Sequence, residues 1–280
     1  MWRHFAENSW QEAPPPNRGL LFGDGFFETL HLRRGRVLFA HWHKARFEEA
    51  LRVLALVPPL SVEAIFEAVA QHGGTYEAAR AKIVVFRQGE GAYAPPTTAA
   101  GLYLGVFPQA VWPFPLGPAQ RLVLFPTACM YPAPWQTFKT LSATAYVQAA
   151  AYAQRCGADD ALLLTTSGFL AETSRANLFF YDGACLHTPA LETGCVKGIL
   201  RTVLLELADK LGLKVEEGFY PLEALWKAQE VFTTNVIQGI APVGQLESHT
   251  YPTGEGTLAA YLAAQLQAEL SALGMGVSSW

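Results

Sequence analysis

FKTLSATAYVQAAAYAQRCG (residues 138–157) sets a single lysine, Lys139, in front of an alanine-rich run with helical periodicity. The spacing predicts a helix from Lys139 to Arg155, with Gly157 available to end it. Leu141, Ala145, Ala149, Tyr152 and Ala153 would form its buried stripe. One hairpin later comes GFLAETSRANLFFYDG (168–183), which carries a carboxylate, Glu172.

Outward from this pair, short strands alternate with helices. FFETLHLRRGRVLFA (26–40) reads as two strands around a turn at Arg34-Gly35, followed by helical HWHKARFEEALRVL (41–54). Ser61 is the candidate cap of the next helix, SVEAIFEAVAQHG (61–73), with Glu63 and Glu67 suited to its amide end. AKIVVFRQG (81–89) and GLYLGVFP (101–108) are expected strands. The breaker-rich QAVWPFPLGPAQ (109–120) is the best linker. RLVLFPT (121–127), ALLLTT (161–166), NLFFYDGACLHTP (177–189), KVEEGFY (214–220) and EVFTTNVI (230–237) add strands. A helix is expected after Gly198, stopped by Gly212, and another over 257–273. This pattern predicts an α/β (α+β) chain in two parts and argues against a Rossmann fold. The expected division is 1–112, a linker at 113–118, and 119–280.

Composition narrows the function. Apolar residues make up 51% of the 280-residue chain and charged residues 16%, which describes a globular protein. Twenty basic and twenty-four acidic residues give net −4, offering no electrostatic case for nucleic acid. The apolar runs are short or broken by Gly and Pro, so no membrane span is expected, and a cytoplasmic location fits. Cys129, Cys156, Cys185 and Cys195 lack CxxC spacing and read as packed or incidental thiols, with no metal expected.

An amine able to form a Schiff base, together with a carboxylate able to hold a pyridinium nitrogen, is what a pyridoxal 5'-phosphate site requires. Each residue also has a plainer reading: Lys139 as a solvated surface lysine, Glu172 as a solvent-facing turn residue. A phosphate needs its own holder. TGCVKGILRTVL (193–204) opens a helix with a glycine, making the amides of Gly198, Ile199 and Leu200 candidates. Arg46 can add a bidentate clamp, or be an ordinary helical arginine.

In this order LFGDGFFETL (21–30), His43-x-x-Arg46, Lys139, AETSRANLFF (171–180), LETGCVKGILR (191–201) and EVFTTNVIQGIAPV (230–243) resemble the fold-type IV pyridoxal phosphate enzymes. That group holds branched-chain aminotransferases, D-amino-acid aminotransferases and 4-amino-4-deoxychorismate lyases. The resemblance implies a Schiff-base and proton-shuttling role for Lys139 and a pyridine-nitrogen partner in Glu172. It implies a phosphate cup of Arg46 with the Ile199 and Leu200 amides. It also implies a small N-terminal domain, a larger C-terminal domain, and a homodimer acting on a small molecule.

Within the group the chain looks most like the lyases, whose reaction releases 4-aminobenzoate and pyruvate for folate biosynthesis. Thr29 in FFETL resembles a lyase threonine linked to proton transfer, and Asn235 resembles a lyase asparagine of the cofactor and substrate site. Thr29 also suits a strand, and Asn235 also suits a turn. Ser142 and Thr144 stand where many relatives carry asparagine and branched-chain enzymes a tyrosine. Arg175 in E-x-x-R-x-N resembles an arginine of less typical D-amino-acid transaminases that holds a substrate carboxylate. Arg87 is a further candidate for a carboxylate of the lyase substrate. The aminotransferase reading, on D- or branched-chain amino acids, stands as the alternative.

Overall fold

The computed structural model describes residues 2–6, 9–13, 17–109 and 116–272. Of the expected linker, residues 113–115 lie outside the described residues, as does residue 273 of the last helix. Strands β1 (Trp2–Ala6) and β2 (Ser9–Ala13) pair antiparallel, and a short helix, α1 (Arg18–Phe22), begins at Asn17, whose side chain accepts from the Leu20 amide. The first large part then runs β3 (Gly25–Arg33), β4 (Arg36–Val37), α2 (Ala40–Val53), α3 (Val62–Gly73), β5 (Ala78–Arg87) and β6 (Ala100–Pro108).

These four strands form an antiparallel sheet in the order β4-β3-β5-β6. Arg34 and Gly35 both adopt positive φ, as the predicted turn requires. Ser61 caps α3 by accepting from the Ala64 amide at 3.2 Å. Alternate residues of the sheet, Phe26, Leu30, Ile83 and Val85, are buried against Phe47 and Ala50 of α2 and Ile65, Phe66 and Val69 of α3. Phe47 meets Phe26 and Phe66 edge-on, at 5.0 and 5.8 Å between ring centroids. Each such side chain contributes roughly 1.5–3 kcal/mol by leaving water.

The second part contains β7 (Gln120–Leu124), α4 (Thr144–Arg155), β8 (Asp160–Leu164), β9 (Leu170–Thr173), β10 (Asn177–Tyr181), β11 (Leu186–Pro189), α5 (Ile199–Lys210), β12 (Val215–Gly218), α6 (Glu223–Trp226), β13 (Glu230–Asn235), β14 (Gly239–Leu246), β15 (His249–Thr250) and α7 (Leu258–Ala272). Its mixed sheet runs β12-β11-β10-β13-β14-β7-β8-β9, and β9 returns to pair with β10. That last pairing closes six strands into a ring, and its one register pair is Asn177 with Glu172. Leu122, Leu162, Leu178, Phe180 and Val243 share one core cluster. On strand alternation, Phe179 belongs instead to the cluster of α5 and α7. On another face α4 packs Ala149 and Ala153 against Val123, Ala161 and Leu163.

One sequence expectation is corrected. The helix begins at Thr144, not at Lys139. The carbonyl of Lys139 accepts from Phe27 N–H at 2.8 Å, and Leu141 N–H donates to Gly25 at 3.0 Å. The lysine segment is therefore extended alongside β3, because that strand's backbone takes the bonds a helix would have used. Cys129, Cys156, Cys185 and Cys195 are free thiols.

Candidate active site

The lysine strap, the ring closure and the start of α5 converge on a cavity of ≈ 250 Å³. Lys139, Glu172, Arg46, Arg175, Gly198, Ile199 and Asn235 all line it. Lys139 is half-buried, with Nζ 5.8 Å from the Phe27 ring centroid. Burial pushes its ammonium down to about 8, and the Arg46 charge adds to the shift while Glu28 and Glu172 oppose it. A substantial neutral fraction near neutral pH is what a lysine nucleophile or base needs.

Glu172 is 3% exposed. Its Oε1 accepts from Tyr146 Oη at 2.7 Å and from Val196 N–H at 3.0 Å. Its Oε2 accepts from Asn177 Nδ2 at 3.1 Å. Burial raises this carboxyl to about 7, with the Tyr146 and Val196 donors and the Lys139 charge pulling it back.

Arg46 projects from α2, its Nε donating to Glu28 Oε2 at 3.2 Å and its Nη2 to Glu28 Oε1. Its Nη1 reaches the Lys197 carbonyl at 2.8 Å. Glu28 also accepts from His43 Nδ1 at 2.6 Å. Burial would raise Glu28, but the Arg46 charge and the His43 hydrogen bond overcome it and hold the carboxyl near about 2. Burial lowers His43. The pair is therefore a neutral imidazole and a carboxylate, with the guanidinium fixed between them and the start of α5.

At that start Gly198 offers no capping side chain, so the Ile199 and Leu200 amides keep hydrogen-bonding capacity, while the Gly198 N–H already donates to the Val196 carbonyl at 2.8 Å. Gly198 is required by closeness: a Cβ there would lie 1.8 Å from Asn177 Oδ1. Thr234, on the cavity wall, has a buried hydroxyl with no hydrogen-bond partner. Leu200 does not line the cavity; its side chain packs in the α5–α7 core, which leaves only its backbone amide as a candidate.

The remaining candidates divide. Asn235 lines the cavity, but its Oδ1 accepts from the Ile237 and Gln238 amides at 2.9 and 2.8 Å, as the turn reading expects. Arg175 lies at the cavity with a half-exposed side chain, 3.4 Å from Asp160 and donating to the Asp159 carbonyl. Thr29 does not line the cavity; it sits two residues beyond Phe27 on β3, opposite Lys82. Arg87 does not line it either. It is buried on Asp24 and the carbonyls of Leu54, Ala55 and Thr97, so it organises the loops of the small sheet and has no donor directed to the cavity.

Sequence reasoning missed Tyr146, Glu28, Asn177 and Thr234. Glu28 carried a signal: an acid midway between Phe26 and Leu30, on the buried face of a strand, needs a partner. Cys185, His187 and Glu216 hold potential metal-ligand atoms within 4.8 Å of one another. They are already bonded to Leu186, to Asp182 and Tyr220, and to Lys214 respectively.

The amino-transferase class IV family description matches residues 25–246. Aminodeoxychorismate lyase of Bacillus subtilis (strain 168) is 28% identical over 89% of this chain and 87% of its own length. A Methanocaldococcus jannaschii protein provisionally named a branched-chain-amino-acid aminotransferase is 30% identical over 82% and 81%. The crystal structure of 4-amino-4-deoxychorismate lyase from Pseudomonas aeruginosa superposes with a TM-score of 0.76 at 30% identity, covering 94% of this chain and 95% of that one.

Proposed function

Because this chain belongs to the class IV amino-transferase family of fold-type IV pyridoxal phosphate enzymes, we propose that it is a pyridoxal phosphate-dependent 4-amino-4-deoxychorismate lyase releasing 4-aminobenzoate and pyruvate. The observation that carries the reading is the shared cavity of Lys139, Glu172 and Arg46. Support for the lyase branch comes from its similarity to two lyases over most of its length and from Asn235 at the cavity wall.

The residues fit the cofactor. A partly neutral amine suits its aldehyde, a buried carboxylate suits its ring nitrogen, and a guanidinium beside uncapped helix amides suits its phosphate. The Thr234 hydroxyl, without a hydrogen-bond partner among the described residues, adds a further donor on the cavity wall. Lys139 would hold the aldehyde carbon, Glu172 the nitrogen, and Arg46 with the Ile199 and Leu200 amides the phosphate. When bound, the cofactor supplies an electron sink for the carbon next to the substrate's nitrogen.

The free amine of Lys139 would remove the ring proton beside the substrate's nitrogen, and its lowered basicity suits a base near neutral pH. Breaking the ether bond releases the enolpyruvyl group, which leaves as pyruvate once protonated. Lys139 is placed to return that proton, whereas Thr29 stands off the cavity wall. Aromatisation drives the step. Arg175 is the cavity cation available for a substrate carboxylate.

The second reading is aminotransfer, favoured by that same Arg175 and by the similarity to the M. jannaschii protein. There Lys139 moves a proton from the amino acid's Cα instead. One paired assay separates the two on purified, cofactor-loaded protein. Pyruvate and 4-aminobenzoate from 4-amino-4-deoxychorismate support the lyase. Stoichiometric formation of pyridoxamine phosphate from D- or branched-chain amino acids, without those products, replaces it with transfer. Lys139→Ala should lose at least about 10²-fold in either activity and no longer fix the cofactor on borohydride reduction.

A further inference from the structure

Glu172 can keep a ring nitrogen protonated only while it is itself ionised, and its burial works against that. The main counterweight from a side chain is Tyr146, whose hydroxyl makes the shortest of the three bonds to the carboxylate, 2.7 Å. Asn177 is divided, because its Nδ2 also donates to the Val196 carbonyl at 2.8 Å. The phenol keeps its proton, since burial and then the Glu172 charge push it well above 10. Tyr146 stands in the first turn of α4, a helix held against β8 by Ala149 and Ala153. Tyr146 lines both the cavity and a neighbouring open groove shared with Gln154, Asp159 and Arg175, whereas Glu172 lines the cavity alone.

We propose that Tyr146 is a positioning residue that holds Glu172 as a carboxylate aimed at the ring nitrogen of bound pyridoxal phosphate. The inference rests on the cofactor reading above and adds a residue to it. The hydroxyl acts through Glu172, so its effect depends on a ring nitrogen being there to respond.

The test uses cofactor-free wild type and Tyr146→Phe, titrated separately with pyridoxal phosphate and with its 1-deaza analogue, in which a C–H replaces the ring nitrogen. Affinities are read from tryptophan fluorescence quenching. Loss of a hydrogen bond to a charged group should weaken pyridoxal phosphate binding about tenfold. Binding of the deaza analogue should change less than about twofold. In a Glu172→Gln background, Tyr146→Phe should cost nothing further. An equal loss for both ligands would overturn the proposal, placing the hydroxyl on another part of the ring or in the fold, and so would unchanged affinity for pyridoxal phosphate. Failure of the wild type to bind either ligand would instead overturn the cofactor reading itself.

Discussion

Glu28 and Glu172 are both buried carboxyls, and they are displaced in opposite directions. Glu28 faces a guanidinium and an imidazole, so its carboxyl is held near about 2. Glu172 faces neutral donors and a more distant ammonium, so burial dominates and raises it to about 7. The consequences for stability differ in sign. Glu28 stabilises the fold above its ordinary 4.5, and this is lost as pH falls from there towards about 2. Glu172 holds its proton in the folded state after the unfolded chain has released it, so stability falls as pH rises from about 4.5 to about 7. Buried His31 and His43 act with the opposite sign over much of this range, so the Glu172 contribution, on the order of 3 kcal/mol, should be read from urea unfolding of cofactor-free protein as the pH-dependent difference between wild type and Glu172→Gln. Lys139 and Glu172 were legible in the sequence because their chemistry is distinctive and their neighbours follow a known order. Tyr146 was not, because its importance depends on where α4 begins, and Lys139 had been counted as part of that helix.

At the scale of elements, the loop into α5 shows how closely backbone packs beside the cavity. Gly198 has ordinary negative φ, and its constraint is space alone. In Gly198→Ala the new methyl must displace Asn177, whose amide bonds both the Val196 carbonyl and Glu172. Overpacking of this kind should cost about 1–3 kcal/mol in urea unfolding and lower the affinity for pyridoxal phosphate. The helix after Gly198 and its stop near Gly212 were readable from periodicity. The strap at Lys139 was not: its partners on β3 lie more than a hundred positions earlier, and no local pattern encodes such a pairing. The closure of the ring through Asn177 and Glu172 was hidden as well: the strand of Asn177 was foreseen, but β9, which carries Glu172, is four residues long and was not.

For the molecule as a whole, the two sheets were predictable in kind, and the way they meet was not. A homodimer is proposed, with the outer face of the small sheet as the contact. Register places Val84 beside Tyr103 and Arg80 beside Phe107 at the β5–β6 side of that sheet. Tyr103 and Phe107 are 59% and 48% exposed, an apolar cost that a second copy would remove. Sedimentation should give twice the 30.5 kDa chain mass, and Phe107→Glu should shift the protein towards a single chain. A wild type that sediments as one chain at micromolar concentration would refute the assembly.

Arg46 belongs to the helix of one sheet and bonds a carbonyl 151 positions onward, just before the start of α5. A phosphorylated vitamin held there would act as a clasp between the halves of the chain. Cells deprived of vitamin B6 would then keep this protein in an unfastened form, which proteases attack first, so its abundance would follow nutrition as well as gene expression.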